Sequence, residues 1–428
     1  MQSVGLGILV TFRTHQPLWT GLVAAAAFLP VGLISPIGGV LADRLDRRKW
    51  LIATTIGEAA FAGVLTWMAF SGNDAPVWDV LIAMVGSIFS SLGFPSYQAM
   101  LPELVAKEQL LSAVSLSSAQ YNFGRVIGPA LAGIAIAFGS YGFAFLINAI
   151  SFLAVIVALL LIKLPKLAFS GDLSGDLSGD LSDGQGIQGA TPESTNKQAR
   201  DPQSNSNGQP ESVDGTNFMA SLRMGAVAAW ALPSARAAIV SIGVIALFGS
   251  PFIALIPAMA INTLRSGKIG TSVLVTSQGI GAVIGAVFAS SLANKFGRER
   301  LLAFNLATLP FALLLYGSMP NLILSSLALF IVGGVYIGVL SGLNTSIQLS
   351  VPNETRGRIL SFYMMTLGTL YPVGSLVFGW IANSVGVRWV TIGGAAILIL
   401  IGCLIVMRSN KLVAGLGIYG QNDNLSDT

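Results

Sequence analysis

Leu41-Ala42-Asp43-Arg44-Leu45-Asp46-Arg47-Arg48-Lys49 is the stretch on which the reading of this chain turns, because it occurs twice. The second copy is Leu292-Ala293-Asn294-Lys295-Phe296-Gly297-Arg298-Glu299-Arg300. Each copy ends an apolar run and leads into a basic loop. The next loops also correspond: LPELVAKEQL around Pro102, and SVPNETRGRIL around Pro352. Asp43 to Pro102 spans 59 residues and Asn294 to Pro352 spans 58. Two halves of matching spacing follow. Paired halves of this kind commonly rock about a central site.

Working outward, apolar runs of about 20 residues, enough to cross a bilayer, lie near 18–42, 50–70, 78–101, 110–138, 142–163, 236–263, 271–293, 301–318, 321–345, 358–383 and 387–407. Residues 1–12 are apolar too, but reach only about 18 Å as a helix. They read as the outer half of a first helix whose beginning is missing, which brings the expected count to twelve. Only 10% of the 428 residues are charged and 53% are hydrophobic. A soluble domain carries about 25% charged residues. With the Asp43–Lys49 loop in the cytoplasm, fourteen Lys and Arg fall in the short cytoplasmic loops and tail and four in the outer loops, as the positive-inside rule asks. Both termini are then expected in the cytoplasm.

The expected organisation is a six-helix bundle over 1–163, a polar cytoplasmic linker over 164–235, a second six-helix bundle over 236–408, and a tail over 409–428. SGDL repeats three times between Ser170 and Leu181. Too little apolar surface is available there to offset the entropy of ordering, so the linker reads as mobile. Its period of four does not fit the nine-residue calcium repeat.

Several functions are excluded by what the chain lacks. Cys403 is the only cysteine and His15 the only histidine, which leaves no Ser-His-Asp triad, no His or Cys metal cluster and no disulfide to propose. No enzyme activity and no cofactor are expected. No dense basic tract points to nucleic acid.

The run Gly39-Val40-Leu41-Ala42-Asp43-Arg44-Leu45-Asp46-Arg47-Arg48 resembles the signature loop of the major facilitator superfamily. Asp46 stands where that signature has a second glycine, and Asn294 replaces the aspartate in the second copy. PSYQAMLPELV, FGRVIGPALAG and ETRGRILSFYMM resemble bacterial exporters of the enterobactin-exporter type and drug efflux permeases. The resemblance implies an all-α membrane protein with the twelve-helix major facilitator fold, two pseudo-symmetric bundles, in the bacterial inner membrane. It implies export of a siderophore, drug or amphipathic metabolite by alternating access with proton antiport. The expected partners are small-molecule substrate, membrane lipid and the coupling proton, with the chain working as a monomer. The alternatives are a facilitator or importer, a lipid transporter on the same fold, or a non-transporting membrane partner protein.

Candidate residues fall into three groups. In the gating loop, the resemblance implies that Gly39, Asp43, Arg44, Arg47 and Arg48 latch against the helix start near Arg356 and Arg358, and the preference of helix N-termini for anions is compatible with it. The arginines are equally readable as topology-setting charges. For packing, Gly124, Gly128, Pro129 and Gly133 resemble an antiporter motif, and Ser277, Gly281, Gly285 and Ala289 repeat the small-residue stripe. Such stripes let helices approach closely, and the two are expected to meet between the halves. For substrate and coupling, Arg125 sits about 22 Å along its segment, beside Gln120, Tyr121 and Asn122. A charge that deep marks a pathway by default, against the bland reading of an arginine bonded to backbone carbonyls. Glu58, the only acid well inside an apolar run, is a candidate proton carrier, or else bonds locally to Thr54 or Thr55. Gln278, Asn305, Asn344 and Gln348 either line a cavity or tie helices together. Pro251 and Pro372 are expected to kink their helices.

Overall fold

The computed structural model describes residues 2–72, 75–106, 140–162 and 230–408, with isolated positions between 109 and 136 and at 227. Tyr121, Asn122, Arg125, Pro129, Gly133, nearly all of the linker and the 409–428 tail lie outside the described residues, as do the side chains of Asp43 and Arg358. Among the described residues every regular element is helical.

The first half holds α1 (Gln2–Thr14), α2 (Pro17–Arg44), α3 (Arg47–Ser71), α4 (Pro76–Met100) and α5 (Tyr141–Leu161). The second holds α6 (Pro233–Thr263), α7 (Gly267–Phe296), α8 (Arg298–Ser318), α9 (Leu322–Ser350), α10 (Asn353–Val385) and α11 (Val387–Arg408). Ten of these are long and apolar enough to cross a membrane, and α1, with 13 residues, is not among the ten. The helix of α6 begins at Pro233, three residues ahead of the expected 236.

The duplicated turn is built twice from different chemistry. In the first copy Asp46 caps α3, its carboxylate accepting from the Lys49 backbone N–H at 2.9 Å. In the second, Gly297 occupies the same place with φ of 87°, a conformation that a side chain disfavours. The aspartate that departs from the signature therefore closes the turn as an N-cap.

Around Pro251 the helix departs locally from α geometry. The preceding residues Ile245–Gly249 form a π-turn, and Ser250 donates both its N–H (2.7 Å) and its hydroxyl (3.1 Å) to the Ile245 carbonyl. A second π-turn, Met259–Thr263, follows Pro257. Proline removes a donor from the ladder, and these turns re-satisfy the carbonyls left over.

Each half has its own apolar core. Leu6, Leu9, Val10, Val23, Leu65 and Phe145 form one. Leu255, Met259, Leu313, Leu329 and Tyr363 belong to the larger one. A third, smaller cluster joins the halves through Ala24, Ala246 and Tyr371. Large apolar side chains cover the outside: Ile323 is 77% exposed, Leu161 74% and Trp380 67%. So much exposed apolar surface would aggregate in water and matches a lipid-facing band.

Candidate functional site

The site lies along α2 and α10, which run antiparallel and face each other across the two halves. For orientation, the end carrying Arg47 and Asn353 is called the basic face and the end carrying Pro17 and Val385 the opposite face. The Leu18 N–H donates to the Asn383 Oδ1 at 3.1 Å. A Cβ built on Gly379 would sit 3.0 Å from the Pro17 carbonyl oxygen. One on Gly21 would sit 2.4 Å from the Ser375 carbonyl oxygen, and one on Gly32 would lie 3.0 Å from Gly368. Phe28 packs edge-on against Tyr371 at 5.1 Å. The seam is therefore closed from the opposite face to about mid-helix. Toward the basic face it changes character. A Cβ on Gly39 would meet nothing within 4 Å, and Met364, one turn beyond Gly368, is 52% exposed.

Two further contacts close the opposite face. The Asn262 amide donates to the His15 carbonyl at 2.9 Å. Lys268, at the start of α7, places its ammonium 4.6 Å from the Phe12 ring centre and 4.5 Å from that of Tyr141. A cation over two rings is worth about 0.5–2 kcal/mol per contact, depending on desolvation. Lys268→Met is expected to loosen this face without unfolding either half. The check is a cysteine placed at Thr14 in a Cys403→Ser background: its labelling by an impermeant thiol reagent should rise several-fold when Lys268 is replaced. Unchanged labelling would remove Lys268 from the closure.

Arg47 and Arg48 each bond within the first half. Arg47 donates to the Glu103 carboxylate. Arg48 donates to the carbonyls of Leu159 and Leu160, both at 2.8 Å, at the end of α5. These carbonyls have no intrahelical partner, so Arg48 caps α5. Arg44 is exposed at the end of α2. Arg356, on α10, donates to the Val351 carbonyl at 3.2 Å.

Gly281 and Gly285 pack against α9 of their own half, while most of the 110–138 segment that their stripe is expected to meet lies outside the described residues. A Cβ on Gly281 would lie 1.9 Å from the Phe330 carbonyl oxygen, and one on Gly285 2.6 Å from Gly334. Gly124 has nothing within 4 Å of a built Cβ, and Gly128 is half-buried. The described glycine contacts between the halves lie on α2 and α10 and at Gly7 of α1, where a Cβ would stand 3.4 Å from the Pro257 ring of α6. Gln120 is exposed. Gln348 donates to Asn344 at 2.6 Å within α9, and Asn305 is buried against Gly338.

Glu58 stands away from the seam. It lines a cleft of about 330 Å³ between α3, α4 and α5 and accepts a hydrogen bond from Ser90. The local alternative is not realised, since Thr54 and Thr55 both donate to the Leu51 carbonyl, at 3.0 and 2.7 Å.

Two helical bundles joined by a seam that is tight at one face and open at the other define a multi-pass membrane transporter of the major facilitator type. The chain belongs to the transmembrane secretion effector family, whose profile matches residues 1–175 and 200–414. It is 23% identical over 412 residues to the macrolide efflux protein A of Streptococcus pyogenes, covering 94% of this chain and 91% of that protein. It is 31% identical over 159 residues to the staphyloferrin A transporter of Staphylococcus aureus, covering 37% of this chain and 40% of that one. Its fold matches the crystal structure of a bacterial homologue of the lysosomal transporter Spinster, inward-facing and unoccupied. That match has a TM-score of 0.67 at 12% identity, covering 98% of this chain and 94% of the other.

Proposed function

We propose that the chain exports small amphipathic molecules by alternating access, with the α2–α10 seam as the element that opens and closes. The observation that carries this reading is the asymmetry of the seam: closed from Pro17 to Gly32, open beside Gly39. The basic face is assigned to the cytoplasm, on the fourteen-to-four distribution of loop Lys and Arg. The conformation is then open to the cytoplasm, and the membrane is the bacterial inner membrane with both termini inside.

Export in particular is supported by the secretion-effector family and by the likeness to a macrolide efflux protein, and a small-molecule substrate by the likeness to a staphyloferrin A transporter. Siderophores and drugs remain the substrate classes of choice. Proton antiport supplies the driving force. Arg125, a cation deep in an apolar segment, is assigned to the transport cycle, because a charge at that depth demands a wet or paired site. In the opposite conformation the basic face closes, and the Asp43 loop latches against the start of α10 near Arg356 and Arg358. The two halves of the proposed unit are 1–163 and 236–408, joined by the linker.

The test uses inside-out vesicles with an acid interior, a pH-sensitive dye, and a panel of macrolides and hydroxamate or carboxylate siderophores. The expected result is compound-triggered proton release that falls at least about tenfold in Arg125→Ala. Release that is equally fast in Arg125→Ala and Arg125→Lys would remove Arg125 from the cycle. No release from any compound would overturn proton-coupled export for that panel.

A further inference from the structure

Glu58 is not used by the seam, and its surroundings are those of a binding site. It lies eleven residues from Arg47, about 16 Å along α3 and near the middle of a hydrocarbon core of about 30 Å. The α3–α4 packing is close on the basic-face side of Glu58. A Cβ on Gly93 would meet the Thr54 hydroxyl at 2.5 Å, and one on Gly57 would meet the Phe89 ring at 2.4 Å. Beside these contacts a cleft opens between α3, α4 and α5. The cleft runs from Glu58 and Ser90 toward Leu51, Tyr97 and Ile162 near the basic face. Its rim residues Phe94 and Val155 are 48% and 46% exposed, so it opens sideways toward lipid.

We propose that this lateral cleft is a second binding site, for a compact lipophilic amine whose ammonium pairs with the Glu58 carboxylate while its apolar body lies along Phe94, Val155 and Leu51. Three observations select that chemistry. Among the described residues the lining is apolar apart from Glu58, Ser90 and the Tyr97 hydroxyl, and holds no Lys, Arg or His. Tyr97 is bonded to Ser117 at 2.9 Å, and Ser90 serves Glu58. A carboxylate offers about four acceptor positions, which leaves several for a cation. The volume, about 330 Å³, is at the small end of ligand sites.

Other occupants fit worse. An acid would find no described cation in the lining, and Arg48, at the mouth, is tied to the Leu159 and Leu160 carbonyls. A phospholipid ammonium stays at the headgroup level, about 16 Å from Glu58. An uncharged amine that dissolves in the membrane reaches the carboxyl from the side. Transfer of the carboxyl proton to its nitrogen gives an ammonium–carboxylate pair with no net charge in the bilayer. That balance suits a medium in which single charges are expensive. The site does not depend on the transport reading, because occupancy is an equilibrium property of the resting protein.

The experiment measures equilibrium binding of tritiated 4-phenylbutylamine to the full chain in phosphatidylcholine nanodiscs, with empty nanodiscs as background. Saturable binding is expected. It should weaken at least about tenfold in Glu58→Gln, vanish in Val155→Trp, which fills the cleft and leaves Glu58 in place, and be absent for 4-phenylbutanol. Equal binding of amine and alcohol, unaffected by Glu58→Gln, would mean an apolar crevice for hydrocarbon and overturn the proposal. So would the absence of saturable binding, or unchanged affinity in Val155→Trp. Loss of amine binding only in phosphatidylethanolamine nanodiscs would reassign the site to lipid headgroups. If Glu58→Gln does not fold, Val155→Trp and the alcohol decide.

Discussion

Gly21→Val is expected to abolish transport while leaving both bundles folded. The nearest atom to a built Cβ at Gly21 is the Ser375 carbonyl oxygen, at 2.4 Å, with its carbon at 3.0 Å and the Leu376 Cα at 3.2 Å. All three are backbone atoms of α10, so no side chain can swing aside. Overpacking of this kind costs about 1–3 kcal/mol, and the cost falls only on the state in which α2 and α10 touch at the opposite face. A penalty of about 3 kcal/mol shifts the two-state ratio by roughly 100-fold. The protein should then rest open at the face that is closed here. A cysteine at Leu376 in a Cys403→Ser background reports this directly: an impermeant thiol reagent added at the opposite face should label it far faster in Gly21→Val. Gly39→Val acts with the other sign. Gly39 has open space in this conformation, so the substitution should leave stability near wild type and obstruct closure at the basic face. If Gly21→Val is labelled no faster and transports normally, the seam is static and alternating access must use another pair of helices.

The sequence and the structure divide the work unevenly. Helix existence was legible because about 20 apolar residues is a physical length and few soluble folds tolerate such runs. The duplication was legible because a turn between antiparallel helices needs a cap or a left-handed residue, and Asp46 and Gly297 are two answers to one demand. What the chain alone does not carry is the identity of partners. The stripe at Gly281 and Gly285 announces that some backbone comes close, yet nothing in it names α9. Arg47 and Arg48 stand in a motif whose resemblance points across the halves. Their bonds here run to Glu103 and the α5 carbonyls, which lie 56 and 111–112 residues away in sequence. Lys268 reads in the sequence only as an outer-loop charge, and the Phe12 and Tyr141 rings that flank it come from distant helices of the other half. Glu58 shows the same limit: the acid was visible, but Ser90 and the cleft come from helices far along the chain.

Gly281→Val is expected to prevent the second half from assembling at all, a loss of folded protein and not of a single conformation. The added Cβ would stand 1.9 Å from the Phe330 carbonyl oxygen, 2.7 Å from its carbon and 2.9 Å from its Cα. The contact is reciprocal, since a Cβ on Gly333 would meet the Gln278 carbonyl oxygen at 2.0 Å, and Gly285 lies against Gly334. Glycines on both helices thus set the distance between α7 and α9, and there is no flexible atom to yield. In a bilayer lipid tails are as apolar as leucine, so van der Waals contact carries much of helix association. Forcing these two helices apart removes that contact along their whole length. The cost should exceed about 3 kcal/mol. It reads as a low yield of monodisperse protein, a much lower Tm, and no rescue by substrate. Gly124→Val is the control: its built Cβ has open space, so yield and Tm should stay close to wild type. A Gly281→Val protein that is purified in normal yield with an unchanged Tm would show that α7 and α9 do not touch at these glycines, and the close packing of the second half would have to be redrawn.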